Sequence, residues 1–212
     1  MSRKKREWHP GETYHVMSRG NRRGILYKDE ADYIRFLQCI EETNARYDFK
    51  ILSIFLMTNH FHMIIETADT ELWKIMQKIL HPYSMDFNHK YGYTGHVFES
   101  RYVSCCIKDD VYLLEASRYI HLNPVKAMMV RGPLDYEYSS YGSFVGREDK
   151  DKNSKRVTEM INGIVNKDRI LRCFRDSSRE QYRMFVEGKI SHSEQEMLIQ
   201  TDIKENDLWL PW

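Results

Sequence analysis

The sequence predicts an α+β fold: a ferredoxin-like antiparallel sheet with helices on one face, in the order β-α-β-β-α-β-α, plus a small helical C-terminal appendage. Three observations predict it. Four segments carry the apolar–polar alternation or β-rich composition of strands. Three longer segments are helical in pattern, the first with apolar residues at three-residue steps, the third opened by a capping pair. Their order, with two strands adjacent in the middle, is that of a split β-α-β unit.

Residues 14–19 read as a first strand, closed by the turn pair Gly20-Asn21. Residues 29–46 read as a helix: Ile34, Leu37 and Ile40 share a face with Tyr33 and Phe36, and Asp29 stands where an N-cap belongs. Residues 49–57 and 61–67 are β-rich, and Thr58-Asn59 between them suits a tight turn. A second helix spans 69–88, and Pro82 is expected to kink or divide it. Gly92 and Gly95 mark a loop, after which residues 96–107 alternate as a strand. Asp109-Asp110 caps a third helix, which Asn123-Pro124 should stop. The run 147–156 is nearly all charged or polar and sets the expected boundary between a main domain (1–146) and a linker with a helical appendage (147–212). Beyond it, Leu171, Phe174, Tyr182, Phe185 and Val186 suggest two short helices packed on each other or on the main domain, which either brace the core or clamp a DNA hairpin.

The formal charge of +1 excludes a globally basic nucleic-acid binder, but the distribution is uneven. Arg3, Lys4, Lys5, Arg6, Arg19, Arg22 and Arg23 crowd the first 26 residues against only Glu7 and Glu12. Cys39, Cys105, Cys106 and Cys173 have no zinc-finger spacing and read as reduced thiols, mostly buried. Neither a signal peptide nor a membrane-length apolar run is visible, so a cytoplasmic protein with no membrane partner is expected.

Two constellations carry chemistry. His60-Phe61-His62 lies inside an apolar strand, where residues two apart share a face, so both imidazoles project together while Phe61 enters the core. Such a pair is either two ligands to one divalent metal or two hydrogen-bonded histidines, and the spacing alone leaves both open. Tyr119 and Asn123 stand four apart on one helical face, about one turn from each other. Tyr119 taken alone is better explained by packing, because the chain has 14 tyrosines. Together, a metal on a scissile phosphate and a phenol beside it make a coherent strand-cutting chemistry. Tyr83 and Tyr102 read as core residues, with base stacking the alternative. His121 reads as structural.

Four blocks, in order, resemble the HUH single-tyrosine transposases, most closely the REP-associated group. They are His15-Val16-Met17-Ser18-Arg19-Gly20-Asn21-Arg22, Leu56-Met57-Thr58-Asn59-His60-Phe61-His62, Gly95-His96-Val97-Phe98-Glu99-Ser100-Arg101-Tyr102 and Arg118-Tyr119-Ile120-His121-Leu122-Asn123-Pro124-Val125-Lys126-Ala127. The resemblance implies that His60 and His62 are metal ligands, that Asn123 is the third, and that Tyr119 is the nucleophile. It implies Mg²⁺ or Mn²⁺ as cofactor and hairpin-bearing single-stranded DNA, REP-like or from an element end, as partner. The product of cleavage would be a 5′-phosphotyrosine link, and the protein a monomer or homodimer. Thr58 stands where many relatives have proline, and Glu99-Ser100 where several have Gln-Gly. Arg19, Asn21, Arg22, Arg23, Arg101 and Lys126 are the candidate DNA contacts, chiefly to phosphates. Three other readings bear on the same residues: a catalytically inactive hairpin-binding regulator, a replication or relaxase-type nickase, and a metallohydrolase that attacks with water and does not need Tyr119.

Overall fold

The computed structural model describes residues 8–146 and 155–188. The basic run Arg3 to Arg6, most of the expected boundary segment (147–154) and the end of the appendage beyond 188 lie outside them.

Four strands form one antiparallel sheet in the order β2-β3-β1-β4: β1 Thr13–Arg19, β2 Phe49–Met57, β3 His60–Thr67 and β4 Val103–Ile107. The α+β class expected from the sequence is what forms. β2 and β3 make a hairpin across Thr58-Asn59, with Met57 opposite His60. The loop that follows β1 holds that turn: Gly20 donates to the Asn59 carbonyl at 2.8 Å and Leu26 to the Thr58 carbonyl at 2.7 Å.

The helices are α1 Glu30–Asn44, α2 Leu72–Tyr91, α3 Asp110–Lys126, α4 Tyr141–Val145, α5 Lys155–Ile164, α6 Asp168–Leu171 and α7 Arg179–Glu187. Asp29 caps α1 in a reciprocal capping box with Asp32. The Lys90 ammonium from the end of α2 reaches both carboxylates, at 2.7 Å from Asp29 and 2.8 Å from Asp32. That hydrogen bond holds the Asp29 carboxyl below its ordinary value of 3.8. The cap therefore contributes stability above the ordinary carboxylate range, and this is lost as pH falls through the folded-state value. Asp29→Ala is expected to cost about 1 kcal/mol at neutral pH in a urea titration, and an unchanged midpoint would refute the cap's role.

Period-2 patterning sorts the sheet into two faces. Phe61, Met63 and Ile65 turn to one side, where Phe61 meets Phe36 of α1 at 5.0 Å and Phe36 meets Tyr83 of α2 at 5.2 Å between ring centroids. His60, His62 and Ile64 turn to the other, with Phe55 and Ser53 of β2 and His15 and Met17 of β1 beside them. The sequence reading put all the helices on one face, but only α1 and α2 lie there. α3 lies across the opposite face, because that face also carries buried apolar residues and has to be covered.

Three boundaries differ from the sequence reading. α2 runs through Pro82 undivided, since Ile75, Met76, Ile79, Tyr83 and Phe87 all bury on its inner side. Their packing outweighs the roughly 3 kcal/mol that an interior proline costs. α3 likewise passes Pro124 and ends three residues later than expected, before Met128 with φ 55°. The strand expected over 96–107 begins only at Val103. Before it, residues 97–99 follow the end of β1 through two bonds, Asn21 N to Val97 O at 2.8 Å and Glu99 N to Arg19 O at 2.9 Å, and the chain then leaves the sheet.

The outer edge of β2 is closed by later chain. Val165 bridges Ile51 in parallel, Leu56 donates to the Tyr138 carbonyl, and Ser140 donates to the Ile54 carbonyl. An edge strand so paired cannot template aggregation.

Candidate active site

β3 places His60 and His62 on the face covered by α3, with ring centroids 5.3 Å apart. α3 sets the Tyr119 ring edge-on to His62, at 5.7 Å. One helical turn on, the Asn123 side chain hydrogen-bonds the Tyr119 phenol. The sequence-predicted quartet of His60, His62, Tyr119 and Asn123 thus meets in one place, although 57 residues separate His62 from Tyr119 in the chain.

Two further residues join them that the sequence reading did not single out. His15, on β1, brings Nε2 to 3.0 Å from His62 Nδ1, and its ring lies 6.3 Å from Tyr119. Asn59, in the hairpin turn, brings Oδ1 to 2.7 Å from His60 Nδ1. The signal for Asn59 is its adjacency to His60. For His15 the signal is the register of β1 against β3, which pairs Met17 with His62 and puts His15 on the same face one step along. Strand register is not readable from one strand's sequence.

Burial sets the protonation of the site. It lowers His15 to about 4 and His62 well below its ordinary value. Burial lowers His60 to about 4 as well, with the Arg19 charge adding to the effect. All three imidazoles are therefore neutral near pH 7, the form in which they can bind a metal. Burial also raises the Tyr119 phenol, which the Asn123 bond partly offsets, so the hydroxyl is protonated at neutral pH.

A pH dependence follows. These imidazoles bind protons in the unfolded chain below about 6.5 but not in the folded one until about 4. Unfolding therefore takes up protons in that window, and stability is lost as pH falls through it. The thermal midpoint of the metal-free protein is expected to drop between pH 6.5 and 4, and a flat midpoint would contradict the assignment.

The residues present fit a divalent metal with mixed nitrogen and oxygen ligands. Among the described residues no group of three or more His, Cys, Asp or Glu is arranged to hold a metal ion by itself. A metal here would be held by two imidazoles and the Asn123 amide, with substrate oxygens completing it. Mixed nitrogen and oxygen donors of this sort suit Mg²⁺ or Mn²⁺ less exclusively than a carboxylate cage, and also accept softer ions.

The candidate DNA contacts divide into three kinds. Asn21, Arg22, Arg23 and Arg101 are exposed on the loops at the His60 end of the sheet, and Arg22 and Arg23 sit in the left-handed region at φ 53° and 59°. Arg19 is largely covered and its guanidinium is bound to Glu99, Nε to Oε2 at 2.6 Å. Lys126 is exposed at the end of α3, and its ammonium stands 5.2 Å above the Tyr119 ring. Partial burial of that ammonium, with the Arg118 charge nearby, lowers its pKa. Tyr83 and Tyr102 are buried, at 1% and 5% exposure, which makes them core residues.

The comparisons put the chain in the class of transposases. Residues 11–123 match the profile of the IS200-like transposases, and the chain belongs to that family. The structure of a REP-associated tyrosine transposase bound to a REP hairpin shares the fold, with a TM-score of 0.60 and 22% identity over 69% of this chain and 87% of that one. A transposase from Deinococcus radiodurans R1 is more distant, with a TM-score of 0.40 and 11% identity over 56% of this chain and 95% of the other. No curated protein matches. Among the described residues, no helix is long and apolar enough to cross a membrane.

Proposed function

We propose that this transposase cleaves and rejoins hairpin-bearing single-stranded DNA through a 5′-phosphotyrosine intermediate on Tyr119, in a metal-dependent reaction. The observation that carries the proposal is the meeting of a half-buried phenol, a hydrogen-bonded Asn123 amide and the His60–His62 pair on one face of the sheet. A divalent cation bound by these residues would withdraw charge from the scissile phosphate and orient it for in-line attack.

In this reading the Tyr119 oxygen forms a bond to the 5′-phosphorus as the bond from phosphorus to the 3′-oxygen breaks. The phenol gives up its proton and the departing 3′-oxygen gains one. The bond energy stays in the protein link, so the reverse attack by a 3′-hydroxyl reseals DNA without ATP. Asn123 aims the phenol through their hydrogen bond. Lys126 places a positive charge beside the ring where a phenolate forms, which favours the attacking state.

A labelled pool of hairpin oligonucleotides, incubated with Mn²⁺ and resolved on a denaturing gel, tests the proposal. A covalent protein–DNA adduct is the expected product. Tight hairpin binding with neither an adduct nor a cleaved strand under Mg²⁺ or Mn²⁺ would leave only the regulator reading.

The exposed arginines make a separate prediction. Arg22→Ala and Arg23→Ala should each weaken hairpin binding regardless of sequence, and lower the slope of log affinity against log salt by about 1. An unchanged slope would place the DNA elsewhere.

A further inference from the structure

We infer that His15 is a positioning residue for the metal site: it accepts a hydrogen bond from His62 and so fixes the tautomer through which His62 binds a cation. The inference rests on the proposed role of His60 and His62 as ligands.

The geometry begins with the 3.0 Å separation of His15 Nε2 and His62 Nδ1, both on side chains buried to 5% exposure or less. A neutral imidazole has one N–H and one lone pair, so in this contact one ring donates and the other accepts. If His15 donated, the His62 proton would sit on Nε2, and a protonated nitrogen cannot ligate. If His62 donates from Nδ1, its Nε2 lone pair is the one presented to a metal. His60 shows which arrangement the site uses. Its Nδ1 lies 2.7 Å from Asn59 Oδ1, an oxygen that can only accept. The His60 proton is therefore on Nδ1, and Nε2 is its ligating nitrogen.

Both candidate ligands are thus held from behind at Nδ1, one by an amide oxygen and one by an imidazole nitrogen. Such outer partners orient a ligating ring and raise its basicity. A carboxylate commonly fills this role, but at the buried His15 position it would carry a desolvated charge. A neutral imidazole performs the same task without that cost, and leaves the positive charge of a bound cation undiminished. β1 supplies it because the β1–β3 register sets His15 opposite Ile64, diagonal to His62.

The test uses the full chain and Mn²⁺ alone, titrated by calorimetry without DNA. His15→Leu, which fills the space but cannot accept, should weaken Mn²⁺ binding about 10- to 100-fold. His15→Gln offers an amide oxygen to the same Nδ1–H and should recover most of that loss, whereas a merely structural role would not distinguish the two by metal affinity. Long-range ¹H–¹⁵N correlation spectra of the metal-free wild type should show the His62 proton on Nδ1, a readout that does not depend on any variant folding. Wild-type affinity in a folded His15→Leu, or a His62 proton on Nε2, would overturn the inference. His60→Ala separates the two claims. If it loses Mn²⁺ while His15→Leu does not, only the role of His15 fails. If it binds Mn²⁺ like wild type, the ligand assignment fails and the inference falls with it.

Discussion

Tyr119→Phe is expected to abolish covalent adduct formation while leaving the fold and hairpin binding intact. The substitution removes one oxygen. The ring keeps its edge-on packing against His62 at 5.7 Å and against His15 at 6.3 Å. What is lost structurally is the hydrogen bond to Asn123 on a half-buried side chain, worth about 1 kcal/mol. What is lost chemically is the atom that would bond to phosphorus. Removing a nucleophile from an enzyme that acts through a covalent intermediate costs on the order of 10⁴- to 10⁶-fold in rate. On a denaturing gel the adduct band should vanish, and a filter-binding assay with the same oligonucleotide should return near-wild-type affinity. If Tyr119→Phe still cuts DNA at a comparable rate, water is the nucleophile, and the metallohydrolase reading replaces the transfer mechanism.

His121→Ala is expected to be the most destabilising single change near the site, by roughly 3–5 kcal/mol. His121 is fully buried on α3, two residues from the proposed nucleophile. Its Nε2 contacts Ser140 Oγ at 2.9 Å and Ser53 Oγ at 3.1 Å, and its Nδ1 contacts the Tyr182 hydroxyl at 2.7 Å. Tyr182 in turn meets Ser117 Oγ at 2.5 Å. One ring thus joins α3 to β2, to the start of α4 and to α7. Alanine would leave a void among Tyr141, Phe144 and Tyr182 and take one partner from each of three buried hydroxyls. Urea unfolding should show a lower midpoint with an unchanged slope. The adduct rate should fall as well, because α3 loses the anchor that sets Tyr119 over His62. A shift below about 1 kcal/mol would mean that the polar cluster is dispensable.

That cluster gives the C-terminal helices their visible role. Tyr182 of α7 completes it from one side, while Val165 and Asn166 pair with Ile51 at the edge of β2. In the described residues the appendage packs on the core, one of the two arrangements its apolar residues allow. The same packing explains why α3 passes Pro124. Leu113, Ala116, Ile120 and His121 are all buried along it, so tertiary contacts decide where the helix ends.

Much was legible in local pattern. An apolar–polar mix located β1, β-rich composition located β2 and β3, three-residue apolar steps and an aspartate cap located α1, and the His-x-His spacing required both imidazoles to share a face. The four-residue spacing of Tyr119 and Asn123 put their side chains within reach of each other. These are consequences of backbone geometry, which repeats every two residues in a strand and every 3.6 in a helix. The elements misread are those where long-range contacts override local signals. Pro82 and Pro124 lie inside helices held by buried faces, and residues 96–102 alternate like a strand yet leave the sheet after Glu99.

By itself, then, the sequence determined the fold class, the pair of histidines on one strand face, and the Tyr119–Asn123 pair on one helical face. Only the tertiary structure decided that α3 crosses the histidine face of the sheet, that Arg19 is engaged by Glu99, and that His15 backs His62. The physical reason is that face and periodicity are local properties of a chain. Register between strands, and the choice of face a helix covers, are set by burial of the whole core at once.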